Sequence, residues 1–250
     1  MTKPTEWYKR FFGGLYASVL PKTFEGPDTL RQARVVRRLL RARKGQRVLD
    51  IPCGQGRLTI PLASMGMEMT GVDLTAPFIR RAQREARRCA LDVRFLRCDM
   101  REIDFDGEFD AAFNFFGSFG YFSDADNLAF CRRVLRALRP GGRFLVEGLN
   151  RPWLLRHFRP RVEGTIAGVQ IVHQTRWLAR TNRVSSLWTF HRGRRTETHR
   201  IRMRIFSGPE LRDLLRKAGF ADIQVFGWRP LGPYSPGSRR HIVVGRRPRI

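Results

Sequence analysis

Between residues 47 and 150, short apolar runs alternate five times with stretches of helical periodicity, and this alternation constrains the fold more than any other feature of the chain. One run leads into VLDIPCGQG; the others are 67–72, closed by Asp73, 93–97, followed by Asp99, 109–115, and the run inside LRPGGRFLVEGLN that ends at Asn150. A helix from Asp28, broken at Gly45, is predicted ahead of them. Between them, helices are predicted over 58–64, where Pro61 is tolerated because it falls early, and from Thr75 through Phe78, Ile79, Ala82, Ala86 and Cys89. Another starts at Asp124, with Leu128, Cys131, Leu135 and Leu138 recurring at steps of three and four. Parallel strands need crossover helices that cover both faces, so the predicted class is α/β, a doubly wound sheet. Ligands of such sheets bind at the carboxyl ends of the strands.

The pattern changes after Asn150. Residues 169–178, 183–192 and 196–206 read as three strands with no helix between them, and in HRIRMRIF the arginines Arg200, Arg202 and Arg204 alternate with Ile201, Met203 and Ile205. This predicts an inserted antiparallel β lid after strand five. Ser207 and Glu210 then form a capping box for a helix that Gly219 ends. Two strands, 223–228 and 241–246, follow as a hairpin, so the last strand must run antiparallel to its neighbour. The predicted organisation is an N-terminal segment over 1–27 near the active site, a main domain over 28–150 and 207–250, and an inserted substrate subdomain over 151–206.

The strand ends carry the chemistry. Gly54 and Gly56 give GxG, but Thr59 stands where a dinucleotide fingerprint has its third glycine, and Pro52 stands ahead. Asp73 is placed to accept from both hydroxyls of a ribose, in a nicotinamide or an adenosyl ligand alike. Asp99 is placed to accept an adenine's exocyclic amine, with the Met100 amide and side chain beside it. Together these residues predict an adenosine lying across the strand ends.

In order and spacing, VLDIPCGQG, GVDL, CDM, FDAAFNFFGSFGYF and LRPGGRFLVE resemble the class I S-adenosylmethionine-dependent methyltransferases, over about residues 30–150 and 207–247. The resemblance implies a Rossmann-like seven-stranded sheet with an antiparallel last strand and S-adenosyl-L-methionine as cofactor. Carried over by position, it implies Asp50, Gly54 and Gly56 around the methionine moiety, Asp73 at the ribose, Asp99 and Met100 at the adenine, and Asn114 near the sulfonium. Cys53 and Leu74 complete the implied cofactor site, Cys53 read as a small packing residue rather than a nucleophile. Pro52 departs from the commonest motif, which has glycine there; it stiffens the loop and removes one N–H.

In-line methyl transfer draws roughly 7–11 kcal/mol from positioning alone, so a dedicated base is optional and no catalytic residue is assigned. By position the candidates for a base are Glu147, Tyr121, His157 and Asn150; Asn150, Arg200, Arg202 and Arg204 are the candidates for acceptor contact. No metal is expected: the four cysteines are scattered, and His173, His191 and His199 have no ligand spacing.

The chain has 250 residues and a formal net charge of +26, and residues 151–206 hold thirteen arginines against Glu163 and Glu197. The favoured acceptor is a small molecule, an anionic one being compatible with those arginines. NFFG replaces the proline-bearing clamp of amino-directed base methyltransferases, which makes nucleic acid the less favoured partner. The alternatives are an RNA or protein methyltransferase gripping its substrate through the arginine-rich insertion, and a noncatalytic cofactor-binding subunit. The inserted sheet offers a surface for oligomerisation. No apolar run reaches the roughly 18 residues of a membrane span and no signal-peptide pattern opens the chain, so a cytoplasmic location is expected.

Overall fold

A computed structural model describes residues 6–23, 27–228 and 230–249, so the predicted N-terminal segment is described except for 1–5 and 24–26. Its helices are α1 (Tyr8–Phe11), α2 (Gly14–Thr23), α3 (Pro27–Leu40), α4 (Thr59–Ser64), α5 (Ala76–Arg88), α6 (Asp124–Ala137), α7 (Arg151–Arg156) and α8 (Gly208–Ala218). The strands of the main sheet are β1 (Arg47–Asp50), β2 (Glu68–Asp73), β3 (Arg94–Arg97), β4 (Phe109–Asn114), β5 (Leu138–Leu149), β10 (Ala221–Trp228), β11 (Gly232–Pro233) and β12 (Arg240–Arg246). Strands β6 (Arg161–Ile166), β7 (Val169–Leu178), β8 (Arg183–Arg192) and β9 (Arg195–Arg204) form a second sheet.

The main sheet has eight strands in the order β11-β10-β12-β5-β4-β1-β2-β3. Strands β1 to β5 pair in parallel, and β12 lies antiparallel to both β5 and β10, as the hairpin required. The eighth strand, β11, is a two-residue edge piece on β10 that no periodicity could announce. Successive residues of the central strands serve opposite faces. Leu49, Ala112, Phe144 and Val243 join a cluster with α6 and α8, whereas Val48, Phe113, Leu145 and Ile242 pack with α3 and α4. Full burial of such side chains contributes roughly 1.5–3 kcal/mol each, and here it fixes strand register on both faces at once. The Ser207–Glu210 capping box is present, and Gly219 closes α8 at φ +107°.

The second sheet runs β6-β7-β8-β9, all antiparallel. The last three strands lie where alternation predicted them. Strand β6 and helix α7 were not predicted: β6 is exposed along nearly its whole length, so it has no apolar alternation, and α7 is too short for a helical period. The first two helices cover part of this sheet, Phe11, Leu15 and Val19 packing with Val169, Phe190 and Ile201. Among the described residues no helix is long and apolar enough to cross a membrane.

Candidate functional site

Two adjoining cavities lie at the carboxyl ends of the parallel strands. The first, of about 200 Å³, is bordered by Asp50, Cys53 and Gly54 after β1, Asp73 and Leu74 after β2, and Asp99 and Met100 after β3. Tyr8 and Tyr16 of the N-terminal helices and Phe12 between them close it, together with Phe116, Tyr121 and Phe122 of the loop after β4. None of its lining residues comes from 151–206.

The glycine turn and the second strand are tied by one carboxylate. Asp73 accepts from the Gly54 amide at 2.9 Å and from the Thr75 amide at 2.7 Å. A carboxylate has about four lone-pair sites, so these bonds leave acceptor capacity toward the cavity. Burial raises the Asp73 carboxyl, against the lowering effect of those amides. Gly54 holds φ +57° with open space where a Cβ would stand, so its backbone can approach a ligand closely. Gly56, at φ +82°, does not border the cavity: a Cβ there would press on Ala82, Ile60 and Phe95 at 3.2–3.4 Å, so its part in the turn is conformational. The Ile51–Pro52 peptide is cis.

Asp50 is 3% exposed and accepts from Thr59 Oγ1 at 2.6 Å. Desolvation pushes its carboxyl up to about 8, opposed by the Thr59 bond and Arg57. Such a group gains most from an arriving cation. Cys53 packs under the turn among Ile79, Ala82 and Phe95, and burial pushes its thiol up, which suits packing and not nucleophilic attack.

Asp99 is committed to a neighbour the sequence did not flag. It accepts from the Arg101 amide at 2.9 Å, from Nε at 3.1 Å and from Nη2 at 2.7 Å, while Arg101 Nη2 also donates to the Tyr8 hydroxyl at 2.6 Å. Burial opposes ionisation, but these bonds hold the Asp99 carboxyl below the usual range. Asn114 lies behind the cavity wall; its Nδ2 donates to the Ile51 carbonyl at 2.9 Å, and its buried Oδ1 has no hydrogen-bond partner.

The second cavity, of about 330 Å³, lies between the ends of β5 and β12 and the inner face of the inserted sheet. His173 and Thr175 of β7, Ser186 and Trp188 of β8, and Ile201 and Met203 of β9 line it. Phe12, Tyr16, Phe116 and Tyr121 border both cavities and form the wall between them. Of the candidates for a base, only Tyr121 borders either space; burial pushes its phenol up to about 12, so it is a hydrogen-bonding group at neutral pH.

The other candidates are corrected by their partners. Glu147 is fully buried, both of its oxygens are held by the Arg240 guanidinium, and the Phe116 amide donates to Oε2 at 2.8 Å. It anchors Phe116, a non-glycine residue at φ +71°, in the dividing wall. His157 is exposed, stacked on Trp153 with centroids 4.4 Å apart, outside both cavities. Asn150 borders neither cavity: its Nδ2 donates to the carbonyls of Ser235, Pro236 and Ser238, and its Oδ1 accepts from the Tyr234 hydroxyl, pinning the β10–β12 connection. Arg200 and Arg202 are exposed and border neither cavity, since Ile201 and Met203 take the inner face of β9. Arg204 borders the second cavity but is held by Glu210 at 3.1 Å and by the carbonyls of Asn182 and Ile205.

Residues 48–142 match the family described as methyltransferase domain. The demethylmenaquinone methyltransferase of Thermus thermophilus is 36% identical over 104 residues, covering 40% of this chain and 46% of that protein. Alignments to the first curated relatives span 28–46% of their length. Among solved structures, an S-adenosylmethionine-dependent methyltransferase from Clostridium acetobutylicum superposes with TM-score 0.78 at 15% identity, over 94% of this chain and 96% of that one. The sugar N-methyltransferase KedS8 from Streptoalloteichus sp. gives TM-score 0.69 at 20% identity, over 94% and 93% of the two chains. The fold is therefore the Rossmann-like one of these enzymes.

Proposed function

With residues 48–142 as a methyltransferase domain, we propose that this chain is an S-adenosylmethionine-dependent methyltransferase of a small molecule. The observation that carries this reading is the opening of three strand-end aspartates and a glycine turn into one cavity, parted from a second cavity only by aromatic side chains. The residues fit the cofactor in chemical kind. Asp73 keeps acceptor capacity for ribose hydroxyls, Asp50 offers a carboxyl that a methionine ammonium would help to ionise, and Asp99 with Met100 borders the space for an adenine. Cys53, Gly54 and Leu74 complete that wall; Gly56 shapes the turn, and Asn114 supports the wall from behind.

S-Adenosylmethionine supplies an electrophilic methyl group on a sulfonium, and its transfer needs the acceptor in line. The chain's own work is positioning. Phe12, Tyr16, Phe116 and Tyr121 shape the aperture between the two spaces, exclude water from it, and offer the Tyr121 hydroxyl as an orienting group. The acceptor occupies the second cavity, under the inserted subdomain of residues 151–206. KedS8, by its name, methylates a nitrogen of a sugar, which supports a small acceptor on this architecture.

Titration calorimetry tests the cofactor: S-adenosylmethionine and S-adenosylhomocysteine are expected to bind and NAD to give no heat. Binding of NAD without either adenosyl ligand would overturn the reading. A methyl-transfer screen over small metabolites, RNA and lysate protein then identifies the acceptor class.

A further inference from the structure

We infer that the second cavity selects an uncharged, flat ring system whose heteroatoms pair with the Trp188 indole N–H and the His241 imidazole; this rests on the methyltransferase reading and specifies its acceptor. Three observations carry it.

One wall of the cavity is a ring platform. Trp188 and His173 face each other across the β7–β8 pairing and stack with centroids 4.5 Å apart and planes 11° apart. Flat rings extend such a stack without ordering a flexible ligand.

The cavity also holds polar atoms without partners. Trp188 Nε1 and His241 Nδ1 are buried with no hydrogen-bond partner, and His241 as a whole is 1% exposed. Arg204 Nε, on another residue that lines the cavity, is a third such atom; buried polar atoms are nearly always paired, so these orphans mark where a ligand's atoms belong. An indole N–H only donates, so the ligand presents an acceptor, such as a carbonyl, ring nitrogen or hydroxyl oxygen, to Trp188. Thr175 and Ser186, hydrogen-bonded to each other at 2.7 Å, leave a hydroxyl surface alongside.

The third observation is the absence of a free charge. Among the described residues, the guanidinium groups that border the cavity are Arg204, ion-paired with Glu210 at 3.1 Å and with Asp124 at 3.6 Å, and Arg240, held by Glu147. Burial lowers His173, and burial together with Arg240 lowers His241 to about 3, so both imidazoles are neutral at pH 7. An ionic acceptor would surrender its hydration and find every countercharge already taken. The anionic acceptor that the arginine count allowed is thus replaced by a neutral one.

The test uses the full chain saturated with S-adenosylhomocysteine, which fills the first cavity, and two probes of one shape: 2-naphthol, neutral at pH 7, and 2-naphthoate, an anion. Ligand-observed NMR reads their affinities in the wild type and in Trp188→Phe, which keeps the ring and removes the N–H. We expect 2-naphthol to bind at least tenfold more tightly than 2-naphthoate, and to weaken about tenfold in the variant while S-adenosylhomocysteine affinity is unchanged. Equal or tighter binding of 2-naphthoate, 2-naphthol binding indifferent to the substitution, or no binding of either probe would each overturn the inference. Failure of S-adenosylhomocysteine itself to bind would strike the functional reading, and the order of the two probes would still decide the chemistry of the cavity.

Discussion

Asp50 sits where a carboxylate is costly, and the sign of that cost is testable. Its folded value, about 8, lies above the ordinary carboxyl value, so ionising it opposes folding. The penalty is absent below about pH 4, grows by about 1.4 kcal/mol per unit as pH rises, and levels off above about 8. Asp50→Asn is therefore expected to raise the melting temperature of the ligand-free protein at pH 8 and to leave it unchanged near pH 4. The cofactor should respond in the opposite sense: S-adenosylmethionine affinity rises up to tenfold per unit toward pH 8 in the wild type, and both the slope and the affinity fall in the variant. Calorimetry at pH 6, 7 and 8 reads the slope, and a flat wild-type profile would separate Asp50 from the ammonium. For Asp73→Ala the expected loss is about 3 kcal/mol of cofactor binding, roughly a hundredfold, if two charge-assisted hydrogen bonds disappear. Its melting temperature should also fall, because the Gly54 and Thr75 amides lose their acceptor. Asp50, Asp73 and Asp99 could be placed at the cavity from sequence because they lie at or just past the carboxyl ends of β1, β2 and β3, a position the strand pattern itself gives; Asn114, at the end of β4, packs behind the wall instead. The roles of Glu147 and Asn150 were not legible, because they depend on Arg240 and on the 235–238 turn, more than eighty residues away in the chain.

Elements with their own period announced themselves, and those that depend on a distant partner did not. The parallel strands, α5, α6 and α8 carry alternation or caps within a dozen residues. The N-terminal helices are positioned from elsewhere. The Leu15 amide donates to Glu197 Oε2 at 2.8 Å, and the Trp7 indole donates to the Arg202 carbonyl at 3.0 Å, so strand β9 holds α1 and α2 over the first cavity. A Cβ on Gly14, at φ +52°, would lie 2.3 Å from the Glu197 carboxylate. Removing a carboxylate that caps a helix start costs about 1 kcal/mol. Glu197→Ala is expected to lose that much in urea unfolding and to weaken cofactor binding severalfold, since Tyr8, Phe12 and Tyr16 ride on the segment it ties down. Unchanged binding in the destabilised variant would show that the segment closes the cavity without this tie.

For the whole molecule the question is what a net charge of +26 does. Arg200 and Arg202 face outward, away from both cavities, and a protein this basic attracts polyanions without choosing among them. RNA binding is expected to fall steeply between about 50 and 200 mM salt, following a slope near −0.7 per neutralised phosphate. Methyl transfer to a small acceptor should change little over the same range. RNA methylation that disappears when Arg200, Arg202 and Arg204 become serine would reverse the choice of acceptor.

The division of labour between the cavities also bears on how such a chain can change over time. The first cavity takes nothing from residues 151–206, whereas the inserted sheet supplies much of the wall of the second. A lineage can therefore remodel the inner face of this sheet and change what the second cavity accepts, provided it keeps the β9 ties to Trp7 and Leu15 that hold α1 and α2 over the first cavity. The seam of such remodelling comprises Phe12, Tyr16, Phe116 and Tyr121, which belong to both spaces, and the face of α1 and α2 that packs on the sheet through Phe11, Leu15 and Val19.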